Sequence, residues 1–401
     1  MREAPRVTES AFHPERSEGS PAIERQRSFA ALRMTLFLLT MLWLAPTARA
    51  AERIATDDES LRESLRAARP GDVVRIRPGT YRGGVSAPLV GEKDRPIVIE
   101  GDEKVLPVID GGGSGIHLPG AAYVTLRNLH LRGATGNGLN IDDGGDMDGS
   151  AVGIVIENVR VSDVGPRGNT DGIKLSGVRD FAIRNCTVEG WGGSAIDMVG
   201  CADGVIEGCT FRGKDGFEQA TGPQLKGGTR DVIIRECRFD RAGGRAINVG
   251  GSTGPQYFRP LDANYEAKDI TIERNVFRGG QAAVAFVGVD GATFRDNVVH
   301  EPDKWVLRIL QESRDARFVP CRNGIFERNV IVYRRSAVRT ACNIGPGTRP
   351  ESFTFTGNTW WCPDAPQQSK PDLPAEEKQG TYGVDPAVKL DDHGLPTTRP
   401  K

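Results

Sequence analysis

Apolar and polar residues alternate in short phrases that return along most of the chain. Phrases such as YVTLRNLHL (123–131) and DVIIRECRF (231–239) are rich in Val, Ile, Phe and Thr and are bounded by Gly, Asn and Asp. Period-two alternation of β-branched and aromatic residues with polar ones is typical of half-buried strands. The predicted elements are therefore strands.

The phrases repeat at intervals that suit a stack of coils. The third residue from the end of each phrase defines one aligned column, whose successive members are 22 to 38 residues apart: Leu129, Val159, Cys186, Cys209, Cys237, Asn275, Asn297, Asn329 and Asn358. A constant core with a variable loop is the pattern of a solenoid, in which each coil buries its apolar face against its neighbours. We therefore expect an all-β, single-stranded parallel solenoid.

The same column predicts two internal ladders. Asn tolerates left-handed backbone and its amide can bond to the next coil, so the four Asn residues should form a corner ladder. Cys186, Cys209 and Cys237 should stack as buried thiols. The other cysteines, at 201, 321, 342 and 362, are free to pair, and the total of seven leaves at least one thiol unpaired unless chains cross-link.

The repeat also indicates the domain organisation. Residues 34–50 have the pattern of a signal peptide cleaved before Ala51, and residues 1–33 are either a charged leader or untranslated, with Met34 as the start. Residues 57–69 predict an amphipathic capping helix stopped by Pro70 and Gly71. Residues 51–362 form the predicted solenoid domain, and 363–401 a Pro-rich tail that lies on the surface or is partly disordered.

Charge and localisation narrow the choice of partners. The 52 basic and 53 acidic residues give a formal charge of −1, which does not favour a nucleic-acid partner. We expect a secreted or periplasmic monomer without a stable membrane anchor after signal cleavage.

A polar column follows the strand after each corner. When GLNIDD, GIKLSG, AIDMVG, PQLKGG, AINVGG and VLRILQ are superimposed, alternation sends Ile173 and Ile196 inward. It sends outward Asn140, Lys174, Asp197, Gln224, Asn248 and Arg308. Two readings are open: Lys174 and Asp197 form a surface ion pair between coils, or the column lines a groove for an anionic chain.

Other residues beside this column complete the candidate site. Asp171, Lys226 and Arg245 flank it in sequence, and the loop 251–268 carries Tyr257. That tyrosine either stacks on a sugar ring or packs within its loop. Asp142 and Asp143 either bind calcium through oxygen ligands or form a solvated turn.

Several segments resemble known families. RPGDVVRIRPGTYRGG (69–84), RPIVIEG (95–101) and VIDGGG (108–113) resemble pectate-lyase-like proteins, above all polysaccharide lyase family 6, the alginate lyase and chondroitinase group. NTDGIKLSGVRDFAIRNC (169–186) is similar to a segment of polygalacturonases. Both resemblances imply a right-handed parallel β-helix and an acidic polysaccharide as the partner.

The lyase resemblance also implies site residues. Lys226 occupies the position of that family's catalytic Lys; the expected Arg falls on or next to Asn248, with Arg245 as the nearest substitute; and the calcium carboxylates are represented around Glu218. The resulting hypothesis is β-elimination of a uronate-containing polysaccharide by Lys226 and Arg245, with calcium as a possible cofactor. The alternatives are a non-catalytic carbohydrate-binding or structural β-helix, and a polygalacturonase-type hydrolase that uses Asp171 and Asp197.

Overall fold

The computed structural model of the chain describes residues 50–147 and 151–397, all in one compact unit that begins at Ala50. The predicted signal peptide, residues 34–50, and the leader before it lie outside the described residues apart from Ala50. Within the described ranges, no helix is long and apolar enough to cross a membrane.

Strands make up almost all of the regular structure. In chain order they are β1 (Glu52–Ala55), β2 (Val73–Ile76), β3 (Thr80–Arg82), β4 (Val85–Ser86), β5 (Ile97–Glu100), β6 (Val108–Asp110), β7 (Ser114–Pro119), β8 (Ala122–Arg132), β9 (Asn137–Asp142), β10 (Val152–Val164), β11 (Ile173–Ser176), β12 (Arg179–Arg184), β13 (Thr187–Trp191), β14 (Ser194–Val199), β15 (Ala202–Glu207), β16 (Thr210–Arg212), β17 (Thr221–Lys226), β18 (Thr229–Arg235), β19 (Arg238–Asp240), β20 (Arg245–Gly250), β21 (Ala267–Glu273), β22 (Val276–Arg278), β23 (Ala282–Val287), β24 (Val289–Arg295), β25 (Val298–His300), β26 (Trp305–Leu310), β27 (Arg322–Glu327), β28 (Val330–Val332), β29 (Cys342–Ile344), β30 (Thr354–Thr356), β31 (Thr359–Trp361), β32 (Glu377–Lys378) and β33 (Thr381–Tyr382).

The strands form two parallel sheets that share one core. The smaller sheet has ten strands in the order β29-β26-β23-β20-β17-β14-β11-β9-β7-β4, and the larger sheet has the other 23. Each strand pairs in parallel with its equivalents in the neighbouring coils, as β14 does with β11 and β17. The predicted parallel solenoid is confirmed.

The column of corner residues points into the core as predicted. Cys186, Cys209 and Cys237 are buried on successive coils, and all seven cysteines are free thiols. A further internal ladder, outside this column, was not anticipated. It consists of phenylalanine rings whose successive centroids are 4.5 to 5.6 Å apart: Phe211, Phe239, Phe277, Phe294 and Phe326.

The Asn residues form the expected ladder, but for a different reason. Asn297 Oδ1 accepts hydrogen bonds from the backbone N (2.9 Å) and Nδ2 (3.1 Å) of Asn275, and Asn329 does the same for Asn297. The left-handed backbone belongs to the preceding residue, with φ of 55° at Arg274 and Asp296. The prediction that Asn itself takes that conformation is wrong, because its side chain is needed inside, where its amide satisfies buried backbone groups.

Breaking this ladder should destabilise the protein. In Asn297→Val, the backbone N of Asn275 loses its acceptor and the carbonyl of Ile272 loses its donor. We expect a loss of on the order of 3 kcal/mol in the free energy of unfolding, since each buried polar group left unpaired costs about 1–3 kcal/mol. Denaturant unfolding followed by circular dichroism measures it. Cys209→Val is the graded comparison, because it removes only a weak sulfur acceptor of the backbone N of Cys186 (3.4 Å) and Val159 already occupies this column; an equal loss there would contradict the hydrogen-bond explanation.

The outer face of the larger sheet carries a ladder of alternating charge. One residue per coil, two positions before the corner column, runs Arg75, Glu100, Arg127, Glu157, Arg184, Glu207, Arg235, Glu273, Arg295 and Glu327. Arg75 pairs with Glu100 at 2.7 Å, and Arg235 with Glu207 at 3.0 Å. Every ladder residue between the two end members, Arg75 and Glu327, therefore meets opposite charge on both sides, a pattern that is visible in the aligned phrases.

Both ends of the stack are closed. The predicted capping helix is confirmed as α1 (Asp58–Ala67), which begins after the N-cap Asp57 and buries Leu61 and Leu65. At the other end, the Glu377 carboxylate accepts hydrogen bonds from Asn358, Trp360 and Tyr382. The tail then packs along the stack, where Leu395 is buried. Among the described residues, three short 3-10 helices lie in loops, at Pro255–Tyr257, Pro350–Ser352 and Pro366–Gln368.

Candidate functional site

The outward column on the smaller sheet is in the predicted register. Asn140, Lys174, Asp197, Gln224 and Asn248 are consecutive partners. Arg308 belongs to the same column two coils further on, after Ala285. The alternation of the strands therefore placed these side chains on one face, and Ile173 and Ile196 inside.

Two lysines and two aspartates meet in this column and beside it. Lys174 Nζ lies 2.5 Å from Asp197 Oδ2 and 3.2 Å from Asp171 Oδ2. Lys226 Nζ lies 2.9 Å from Asp197 Oδ1. Asp197 thus binds both lysines, and the surface ion pair predicted between Lys174 and Asp197 is part of a four-residue cluster.

Burial sets the electrostatics of the cluster. The Asp171 and Asp197 side chains are buried, whereas those of Lys174 and Lys226 are 21% and 18% exposed. Burial and the neighbouring Asp197 raise the pKa of Asp171. Burial alone would lower the pKa of Lys174, but the two carboxylates outweigh it and the pKa is raised. Lys174 therefore remains a cation, and the cluster presents ammonium groups outward with carboxylates beneath them.

The ammonium groups face a cleft of about 400 Å³. The smaller sheet forms its floor, with Lys174 and Lys226, and the loop 251–259 forms a wall with Ser252, Thr253 and Tyr257. Tyr257 is 56% exposed. Two outward ammonium groups beside an exposed aromatic ring suit an anionic sugar, because the ring can stack on the sugar while the ammonium groups pair with its charge.

Two buried contacts fix that wall. The Arg259 guanidinium forms a bidentate pair with Asp143, with Nη2 2.9 Å from Oδ1. The carboxylate of Glu266 accepts hydrogen bonds from the backbone N of Gly227 (3.0 Å) and of Thr253 (2.9 Å). Sequence reasoning missed Arg259 and Glu266, because neither repeats with the coils and Arg259 is 116 residues from its partner.

The structure does not bring Arg245 to Lys226. Lys226 shares a column with Val199, whereas Arg245 shares one with Thr221, five positions earlier on the strand. That offset corresponds to about 16 Å at the rise of a β-strand. Arg245 instead bonds Asn248 Oδ1 (3.0 Å) and Glu312 Oε1 (2.7 Å). Gln224 lies nearer to the cluster, with Oε1 3.5 Å from Lys226 Nζ.

The residues proposed for calcium are occupied with other partners. Asp142 binds His117 Nε2 at 2.7 Å, Asp143 binds Arg259, and Glu218 accepts a hydrogen bond from the backbone N of Gly168 at 3.0 Å. In the described ranges, no three potential metal-ligating side chains converge. This arrangement does not fit a calcium site built from these three carboxylates, because calcium takes six to eight oxygen ligands.

Comparison with known proteins identifies the fold. A family model described as "Right handed beta helix region" matches residues 147–322. A PL6 family polysaccharide lyase from Pseudopedobacter saltans is 14% identical, with a TM-score of 0.51 over 87% of this chain and 96% of that one. A GH136 lacto-N-biosidase from Eubacterium ramulus is 12% identical, with a TM-score of 0.50 over 81% of this chain and 64% of that one.

An alginate lyase from Paenibacillus sp. is 18% identical, with a TM-score of 0.48 over 74% of this chain and 96% of that one. Comparison with curated proteins gives no match. The prediction of handedness is confirmed by the family model, and the chain is a right-handed parallel β-helix whose fold is similar to that of a PL6 lyase.

Proposed function

We propose that the protein acts on an acidic, uronate-containing polysaccharide by β-elimination, with Lys226 as the proton acceptor. One observation supports this most directly: Lys174 and Lys226 share the buried Asp197 and both reach the same cleft. The fold similarity to a PL6 polysaccharide lyase is consistent with this class of activity, although a fold by itself is weak evidence for function.

β-Elimination needs three groups around the sugar. A cation must neutralise the carboxylate, a base must take the proton on the adjacent carbon, and a donor must stabilise the leaving oxygen. Lys174 suits the first role, because its two carboxylates hold it in the charged form. Lys226 has one ion-pair partner, Asp197, and its partly exposed side chain can reach a bound sugar.

Tyr257 is the donor that the cleft offers to the leaving oxygen, since its side chain is exposed on the cleft wall. Arg245, the partner expected from the lyase resemblance, lies too far along the strand to act on the same bond.

A second candidate, hydrolysis, is favoured by the two carboxylates. Asp171 and Asp197 contact the same ammonium group, at 3.2 and 2.5 Å, and are therefore close neighbours. Glycoside hydrolases use a pair of carboxyl groups, one of which has a raised pKa and acts as the acid. Asp171 has such a raised pKa, caused by burial and by Asp197.

The test is an assay on alginate, pectate and chondroitin that follows the ultraviolet absorbance of unsaturated uronate and the release of reducing ends. We expect both signals from the wild type, and Lys226→Ala should abolish them while leaving polymer retention nearly intact, because a proton acceptor acts mainly in the transition state. Lys268→Ala is the matched control, since Lys268 is an exposed lysine of the larger sheet.

The other outcomes are equally distinct. Reducing ends without unsaturated product, lost in Asp171→Asn, would replace the lyase with the hydrolase. Retention without either product on all three polymers would leave a carbohydrate-binding protein. Parallel assays with calcium and with a chelator test the cofactor; the occupied carboxylates lead us to expect equal rates.

A further inference from the structure

Arg308 is a cation that the proposed chemistry does not use. Its Nε donates to Asn343 Oδ1 at 2.9 Å, and its guanidinium carbon lies 4.2 Å from the ring centroid of Trp305. Among the residues that the structure describes, none forms a salt bridge with Arg308. The guanidinium is thus held in place by an amide and an indole, without a salt bridge of its own in the part of the chain that the structure describes.

A second guanidinium lies on the same side of the solenoid. Arg245 forms a salt bridge with Glu312 at 2.7 Å and is 21% exposed. Burial and repulsion from Arg245 lower the pKa of Arg308, and attraction to Glu312 opposes them. Lys304 adds a third positive charge, 4.3 Å from the Trp305 ring centroid. Arg245 and Arg308 therefore both lie near the Glu312 carboxylate, while Lys304 lies against the Trp305 ring.

The coil between the two arginines has only small side chains in the two columns that contain them. Arg245 pairs with Ala282 and then Trp305, and Asn248 pairs with Ala285 and then Arg308. Ala282 and Ala285 are fully buried, so the partly exposed groups here are Arg245, Arg308 and Trp305, with Glu312 bonded to Arg245. The result is a patch on the solenoid face with two guanidinium groups and an indole ring.

We propose that this patch, formed by Arg245, Arg308 and Trp305, is a second anion subsite that takes a carboxylate or sulfate ester of the same polysaccharide. The proposal rests on the proposed function, because it assumes that one polymer occupies the whole face. Guanidinium groups bind planar anions through paired hydrogen bonds, which are stronger than those between neutral groups.

The distance between the two sites predicts a dependence on chain length. Arg308 lies four coils beyond Asp197, which is about 19 Å at the spacing of parallel strands. An oligosaccharide that fills only the lysine cleft cannot reach Arg308. A longer one contacts both sites and should gain affinity from the second.

The experiment compares wild type with Arg308→Gln in equilibrium binding to a length series of oligouronates, to a sulfated polysaccharide and to a neutral glucan. We expect Arg308→Gln to weaken binding of the long oligouronates about tenfold, which corresponds to one charge-assisted hydrogen bond, and to leave the shortest ones unchanged. The larger effect among the two charged polymers identifies carboxylate or sulfate as the ligand. Arg66→Gln, a change of an exposed arginine on α1, is the control.

Equal affinities of wild type and Arg308→Gln at every length would overturn the subsite. Equal weakening at all lengths would also overturn it, because Arg308 would then act through the lysine cleft or through stability. The binding measurement requires no turnover. A length-dependent loss of affinity in Arg308→Gln, in a protein that makes no unsaturated product, would support the subsite and reject only the lyase activity. Turnover without any effect of Arg308→Gln would reject only the subsite.

Discussion

Ile196→Asp should prevent stable folding of the coils around the lysine cleft. Ile196 is fully buried between Ile173 and Pro223 of the neighbouring coils. An unpaired carboxylate there costs several kcal/mol, which is comparable with the whole stability of a typical domain, about 5–15 kcal/mol. Loss of soluble protein, or a large fall in the thermal unfolding midpoint, is the expected result.

Ile233→Asp provides the control, since Ile233 is 37% exposed on the outer face of the larger sheet. The same chemical change should there shift the midpoint only slightly. If Ile196→Asp were secreted in normal amounts with an unchanged midpoint, the inward placement of this residue would be wrong.

Lys174→Met should destabilise the protein strongly at neutral pH. The substitution leaves Asp171 without a cation, although its side chain is buried and already has a raised pKa. Removing one partner of a buried ion pair costs about 3–5 kcal/mol, because the remaining charge is uncompensated. Chemical unfolding of both proteins at pH 8 measures the difference.

The direction of the pH dependence follows from the same groups. A carboxyl group whose pKa is higher in the folded than in the unfolded protein destabilises the folded state when it is ionised. This cost begins to fall when pH drops to the folded-state pKa, and it is gone once pH lies below the unfolded-state pKa. The deficit of Lys174→Met should therefore shrink as pH falls through the raised pKa of Asp171, and it should be nearly gone close to the ordinary pKa of Asp, about 3.9. In the wild type, the raised pKa of Lys174 stabilises the fold below the ordinary lysine pKa, and this contribution is lost only as pH rises through the raised value.

Two further variants make this prediction specific. Lys268→Met removes an exposed lysine whose Asp269 partner is 3.9 Å away, and it should cost less than about 1 kcal/mol. Asp171→Asn in the Lys174→Met background should restore part of the stability by removing the buried charge. A deficit that is independent of pH and insensitive to Asp171→Asn would indicate lost packing instead of an unpaired carboxylate.

The columns of the solenoid could be predicted because they depend only on local rules. Strand alternation decides which side of the sheet a residue occupies, and the repeat decides which residues are neighbours on successive coils. Lys174 beside Asp197, and the thiols of Cys186, Cys209 and Cys237, follow directly from that alignment.

Contacts outside the columns could not be predicted in the same way. Lys226 and Arg245 are 19 residues apart in the sequence, about one coil, but loops of different length shift the two residues to different points along the strand. The wall of the cleft depends on Arg259 reaching Asp143 across several coils, a contact that no repeat specifies. The loops therefore complete the site, and their conformations are set by tertiary packing.

Because Arg and Glu alternate along the ladder, the pattern of charges repeats every two coils. Deleting or duplicating one coil between Arg75 and Glu327 would place two arginines or two glutamates opposite each other, and like charges directly opposite are unfavourable. Deleting or duplicating two adjacent coils would preserve the order of signs. The unit by which such a stack can most readily grow or shrink in evolution, or be lengthened by an engineer, is therefore a pair of coils.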